Sequence, residues 1–203
     1  MTIVIYQKKL FVIVVNKNEI SIITIDFKKE NCMNYKELFK KFGFELEELH
    51  LNLKFLSADF TPLRSDEDAA WEMYVYMITT VLTQRLDSEH GIEDAALTSV
   101  YKIFQNTRDI LIRHGRNAQR FSKIAVVVLN QIVRPFTAKW HKKSMEGAFK
   151  NSNECKQFRD ELEKLQKELR KYSALLAYIS IVEDITDIIQ IEDNQNSNPT
   201  VTN

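Results

Sequence analysis

The sequence predicts a mainly α-helical protein, a bundle of about four long helices that follows a small β-rich N-terminal element. Only 4 Gly and 3 Pro occur in 203 residues, which favours long helices with few tight turns. From about residue 65 to residue 179, apolar residues recur at steps of three and four, as amphipathic helices require. The β-branched runs that predict strands all come before that region.

Residues 1–62 predict the β-rich element, which includes one short helix. The runs TIVIY, LFVIVV and EISIITIDF are typical of strands, and NKNE between the last two has hairpin-turn chemistry. Residues 35–42 predict a short helix that Gly43 ends. Residues 44–61 fit a helix or a strand, and Pro62 ends the segment in either case.

Residues 63–188 predict the helical bundle. We expect Ser65 to be the N-cap of its first helix, with acidic residues in the first turn, where the helix dipole favours them. The second helix is expected to open near Ile92 and to end at Gly115, which follows a basic last turn.

The third predicted helix starts near Asn117. Residues 124–129 are apolar all round, so this helix is expected at the centre of the bundle. Pro135 has no backbone N–H and clashes with the preceding turn, so the helix should kink or end there. Asn130 and Gln131 are expected to face either a polar partner inside the bundle or its less crowded side.

The fourth predicted helix has a coiled-coil-like seam of alternating steps of four and three. The seam consists of Phe158, Leu162, Leu165, Leu169, Tyr172, Leu176 and Ile179. It either completes the bundle or lets residues 153–182 self-associate. The polar tail, 189–203, has little to bury and is expected to be disordered.

Several kinds of chemistry lack their residues. There is no GxGxxG, GxxxxGK[ST] or GxSxG motif, so dinucleotide-binding, P-loop and nucleophile-elbow sites lack their glycines, and no cofactor is expected. Cys32 and Cys155 form no CxxC motif, which fits a reducing cytosol without zinc. No apolar run is long enough to span a bilayer. We therefore expect a soluble cytoplasmic protein without a membrane partner.

An acidic cluster, which consists of Asp66, Glu67, Asp68 and Glu72, has no accompanying histidine. Its position suits the first turn of a helix, so we interpret it as a solvated helix start and expect no metal site.

Charge is strongly polarised in the middle of a chain whose net charge is zero. Residues 108–143 hold nine Lys or Arg against one acid, Asp109, a net charge of +8, whereas residues 65–107 hold eight acids against two cations, a net charge of −6. This basic segment is the candidate surface for a polyanion or another protein. Its candidate binding residues are Arg113, Arg116, Arg120, Arg134, Lys139, Trp140 and His141.

The run RPFTAKWH, 134–141, concentrates cations and aromatics after the most apolar stretch of the chain. One interpretation is a corner where Arg134, Lys139, Trp140 and His141 grip a phosphate or stack on a base. In the other interpretation the run is structural: Phe136 and Trp140 cover the core, and the cations only interact favourably with the C-terminal end of a helix.

Arg108 and His114, with five residues between them, resemble the Arg-x4–6-His signature of HEPN ribonucleases. Arg85 with His90 and Arg134 with His141 fit the same spacing. The resemblance implies a small helical bundle whose Arg and His cleave RNA without metal, usually across a dimer. The alternative is that Arg113, His114 and Gly115 merely finish a helix.

Three strings, FLSADFTP…DAAWEMYV, HGRNAQRFSKIAVVVLNQIVRPFTAKWH and LLAYISIVEDITD, resemble uncharacterised bacterial proteins, some of which accompany antiviral defence cassettes. The resemblance covers roughly residues 55–188 and implies a bacterial cytoplasmic helical protein. Together with the basic segment, it predicts a non-enzymatic interaction or sensor subunit that binds a protein or a nucleic acid, with a HEPN-like ribonuclease as the alternative.

Overall fold

The structure is a computed structural model, and it describes residues 2–6, 9–16, 19–26, 33–47, 49, 51, 53–87 and 89–186. The chain divides into two compact units, residues 1–33 and residues 34–203. Side chains are described from residue 33 onwards, except that of Leu53. The predicted disordered tail, 189–203, lies outside the described residues.

In the N-terminal unit the backbone forms strands β1 (Thr2–Tyr6), β2 (Lys9–Asn16) and β3 (Glu19–Asp26). They are antiparallel and follow each other in chain order, with Thr2 opposite Ile13 and Asn16 opposite Glu19. No side-chain packing is described here, so the predicted β-rich element has no support beyond this backbone path and stays a prediction.

The second unit is helical. Its helices are α1 (Tyr35–Lys41), α2 (Leu53–Leu56), α3 (Arg64–Ile78), α4 (Glu93–His114), α5 (Gln119–Val127), α6 (Arg134–Met145) and α7 (Ser152–Ser180). A 3-10 turn, Gly115–Ala118, joins α4 to α5, and a π-helical segment, Val128–Val133, joins α5 to α6. The prediction of a mainly helical protein is confirmed for the described residues.

Residues 34–62 lie in the helical unit, which differs from the boundary at residue 62 that the sequence predicts. Asn34 caps α1 through a reciprocal pair of hydrogen bonds with Glu37. Tyr35 on α1 is buried, and its ring lies 4.5 Å from that of Phe55 and 5.3 Å from that of Phe60. These rings pack the segment on itself, and the ring of Phe42, 5.5 Å from that of Tyr178 on α7, joins it to the bundle. In the part of the segment that fits a helix or a strand, the described helix is α2.

Helix α7 carries the largest share of the core, and it packs mainly along α3. Every residue of the predicted seam, from Phe158 to Ile179, is buried inside the chain. The seam therefore completes the bundle, one of the two alternatives that its pattern leaves open, because the protein's own helices cover it. Within the described part of the chain, no helix combines the length and the apolar character that a bilayer crossing needs.

The third predicted helix is not central. Ile124, Ala125 and Val128 are buried, but Val126 is 45% exposed and Asn130 faces solvent. The π-helical segment lies immediately before Pro135, which lacks the N–H that a regular turn needs. The break in regular helix that was predicted at Pro135 is observed as the wider π-helical segment, and the chain then continues as α6.

Candidate functional site

The basic segment 108–143 does not form one free surface, because it runs through α4, α5 and α6 and four of its nine cations pair with acids of other helices. These pairs are Arg113 with Glu72, Arg120 with Asp66, Lys139 with Glu161 and Lys143 with Glu154. The acids belong to α3 and α7, so these contacts tie helices together. The pairing explains why the summed charge of the segment overstates its free positive charge.

Asp66 is fully buried, so its assignment to a solvated helix start is wrong. Its carboxylate accepts a hydrogen bond of 2.9 Å from the backbone N–H of Leu63, which is the N-cap of α3 in place of the predicted Ser65. The same carboxylate accepts from the backbone N–H groups of Arg120 and Phe121 in the first turn of α5. One side chain thus satisfies the N-termini of two helices.

Arg108 and His114 do not converge. Nε2 of His114 lies 2.9 Å from a carboxylate oxygen of Glu72 on α3, whereas the guanidinium of Arg108 is exposed and donates to Gln105 on its own helix. Residues six apart on a helix are about 120° apart around its axis. This Arg–His pair is therefore divided between two sides of α4.

Trp140 belongs to the core, so its expected binding role is wrong. It is 0% exposed, packs edge-on against Phe158 at 5.1 Å and donates through Nε1 to Glu161 at 3.0 Å. Burial alone would raise the pKa of the Glu161 carboxyl, but hydrogen bonds from Lys139, Trp140 and Gln157 outweigh it and hold that pKa below its ordinary value. Lys139 therefore belongs to the α6–α7 contact.

Arg134 and His141 emerge together on the side of α6 that faces α4. The guanidinium carbon of Arg134 lies 5.3 Å from the ring centre of Phe104. The ring of His141 stacks on Tyr101 at 6.1 Å, with 28° between the planes. Tyr101 and Phe104 are one turn apart on α4, with ring centres 5.8 Å apart. The two helices thus interleave cationic and aromatic groups.

Arg108 extends this row, because positions 101, 104 and 108 share one side of α4. We name the set Tyr101, Phe104, Arg108, Arg134 and His141 the α4–α6 face. Tyr101 is 58% exposed, and Arg108, Arg134 and His141 are exposed as well. Neither Arg108 nor Arg134 has a carboxylate partner among the described residues, in contrast to the four paired cations.

Sequence reasoning did not single out Tyr101 and Phe104 and so missed their part in this face. For Asn130 it predicted either a polar partner inside the bundle or the less crowded side, but not its contact with Arg134. Oδ1 of Asn130 accepts from Nε of Arg134 at 2.9 Å, while its Nδ2 donates to the carbonyl of Val126. Asn130 thereby fixes the direction of Arg134. The sequence does contain a signal for the contact between Asn130 and Arg134, because these two residues are four apart on a helix.

No group of His, Cys, Asp and Glu within the described ranges is arranged to hold a metal ion. Compared with known proteins, the chain matches no family model, no curated protein and no solved structure.

Proposed function

We propose that this chain is a non-enzymatic helical interaction subunit that binds nucleic acid through the α4–α6 face. The observation that carries the proposal is the contrast among the cations of segment 108–143. Arg113, Arg120, Lys139 and Lys143 pair with carboxylates, whereas the other five cations form no such pair among the described residues. Two of these five, Arg108 and Arg134, lie exposed on the α4–α6 face, where the guanidinium of Arg134 lies against the ring of Phe104.

Phosphate suits these two cations. A guanidinium presents several N–H donors in a rigid fork that matches phosphate oxygens, and an exposed arginine remains charged at any ordinary pH. The neighbouring rings add the aromatic surface that nucleic-acid sites combine with positive charge.

The test is the binding of a fluorescently labelled oligonucleotide, followed by anisotropy over a range of NaCl concentrations. Counterion release makes electrostatic binding weaken steeply with salt. Charge reversal in Arg108→Glu and Arg134→Glu should each weaken binding and lower the salt slope. Lys167→Glu makes the same change of net charge on α7, outside the face, and is the matched control.

Arg120 is unsuitable for this test because its side chain lies 3.8 Å from the buried Asp66, so that a change there disturbs the fold. If wild type fails to bind at low salt, or binds independently of salt, the proposal fails and a protein partner becomes the better candidate for the face.

The resemblance of residues 55–188 to bacterial proteins supports a place for this subunit in the cytoplasm of a bacterial cell, within an antiviral defence cassette. In that setting, foreign or processed nucleic acid is a suitable ligand for a sensor subunit.

A metal-independent HEPN-like ribonuclease is the second candidate, and one observation favours it. Arg134 and His141 share one side of α6, about 10 Å apart along its axis. Cleavage of a labelled RNA in EDTA tests the activity directly. Activity that survives Arg134→Ala and His141→Ala, made separately, excludes this pair as the catalytic residues.

A further inference from the structure

The α4–α6 face exposes planar groups in a row as well as positive charge. The ring of Tyr101 is more than half exposed and is stacked on that of His141, and the ring of Phe104 lies beside them under the guanidinium of Arg134. Tyr101 and His141 are the exposed rings of this row, whereas Phe104 is half-buried. A nucleobase can stack on an exposed ring only if the flat face of the base is not already covered by other bases.

We propose that the α4–α6 face binds single-stranded nucleic acid in preference to the duplex, by stacking unpaired bases at Tyr101 and His141 while Arg108 and Arg134 bind the phosphates. This inference rests on the proposed function and names its ligand. In a duplex the base faces are covered by their neighbours, so the bases cannot stack on these rings. In a single strand the faces are available, and stacking on aromatic side chains adds affinity without regard to sequence.

The size of the face fits a short stretch of strand. Tyr101 and Arg108 are seven residues apart on α4, which corresponds to about 10 Å along the helix axis. Stacked bases rise about 3.4 Å each along a strand, so the row accommodates roughly three nucleotides. Arg134 and His141 are separated by the same number of residues on α6, so both helices present a row of similar length.

The cation at the centre of the face is fixed before any ligand arrives. Asn130 accepts from Nε of Arg134, so the two terminal nitrogens remain to donate to a phosphate. Asn130 is in turn held by the carbonyl of Val126 at 2.9 Å. Asn130 is therefore a positioning residue, and holding the guanidinium in place reduces the entropy lost on binding.

The experiment compares a labelled single-stranded DNA of twelve thymidines, a labelled single strand of mixed sequence and the duplex of that mixed sequence, at one salt concentration. We expect both single strands to bind more tightly than the duplex. Tyr101→Ala should weaken single-strand binding at least about fivefold, the loss of one base stack, and should weaken duplex binding by a smaller factor. Tyr101→Phe keeps the ring and should retain the preference.

Trp71→Ala is the matched control, because Trp71 is an aromatic residue 47% exposed on α3, outside the face. Equal affinity for single strand and duplex, together with an unaltered Tyr101→Ala protein, overturns this inference and leaves the proposed function standing. Binding of neither nucleic acid overturns both. Circular dichroism of each variant confirms that it is folded before the affinities are compared.

Discussion

Oδ1 of Asp66 on α3 lies 2.9 Å from the backbone nitrogen of Arg120, in the first turn of α5. The N-cap position of α5 is Ala118, whose side chain cannot accept a hydrogen bond. Asp66 supplies that acceptor from another helix. The carboxylate also suits the positive end of the α5 dipole, so a single buried charge joins the start of α5 to the start of α3.

Asp66→Ala should lower the free energy of unfolding by about 2 kcal/mol or more. The change leaves the N–H groups of Leu63, Arg120 and Phe121 without their acceptor, and each buried donor that loses its partner is costly. Urea denaturation measures the loss. Asp68→Ala, in the same turn but exposed, should stay within about 0.5 kcal/mol of wild type. Equal losses in the two variants contradict the buried cap.

Tyr35→Phe should protect the protein at alkaline pH. Burial and, next, the negative charge of Asp66 raise the pKa of the Tyr35 hydroxyl to about 12, although Arg120 opposes the shift. The folded state therefore resists ionisation that the unfolded state undergoes near pH 10. The stability due to the neutral hydroxyl is fully present below pH 10 and is lost as pH rises towards 12.

The measurement is the urea midpoint of wild type and Tyr35→Phe at pH 8 and at pH 11. The hydroxyl of Tyr35 is buried with no hydrogen-bond partner among the described residues, so its removal should cost little at pH 8. The Phe variant should lose less stability than wild type at pH 11. Parallel losses in the two proteins would show that Tyr35 does not titrate as its surroundings imply.

Trp140→Ala should destabilise the protein by about 3 kcal/mol or more, because it removes a fully buried ring from the cluster with Phe149 and Phe158. The adjacent change, His141→Ala, removes an exposed ring and should move the melting temperature by only a few degrees. Differential scanning calorimetry of both variants checks the contrast. A stable Trp140→Ala protein is incompatible with the packing around this residue.

Leu165→Asp should unfold the protein, since it places a charge in the seam between α7 and the rest of the bundle. Lys167→Asp introduces the same side chain two residues later, on the exposed side of α7. It should leave the helical circular dichroism signal intact. A folded Leu165→Asp protein would show that the seam is not buried in solution.

The extent to which the sequence predicts the fold depends on how local each interaction is. Helix α7 was predictable because its seam repeats over 22 residues, from Phe158 to Ile179, and every seam residue is buried. The end of α4 near Gly115 was also predictable from local sequence, because this glycine has a positive φ of 60° and helices commonly end at a glycine of positive φ. Periodicity and termination are both properties of neighbouring residues.

The candidate site was harder to predict, because it depends on partners distant in the chain. An acid in a helical first turn has the same local pattern whether it is solvated or buried, and only the approach of α5 distinguishes Asp66 from Asp68. Likewise, Arg113 resembles Arg108 in the sequence, but Glu72, 41 residues from Arg113, pairs with Arg113 and not with Arg108. Charge counted along the chain therefore located the basic segment but not its free cations.

The π-helical segment Val128–Val133 sets the rotational phase between α5 and α6. A π turn closes from residue i to i+5, one residue more than an α turn, and one residue corresponds to about 100° of rotation around a helix axis. Helix α5 packs on α3, and α6 packs on α4. The added rotation therefore lets one continuous helix pack against two different neighbours. Deleting one residue from the segment would turn Arg134 and His141 away from Tyr101 and Phe104 without replacing any of the four. The α4–α6 face thus depends on the number of residues in this segment as much as on their identity. Single-residue insertions or deletions in the segment would therefore disassemble the face while each of its side chains is kept.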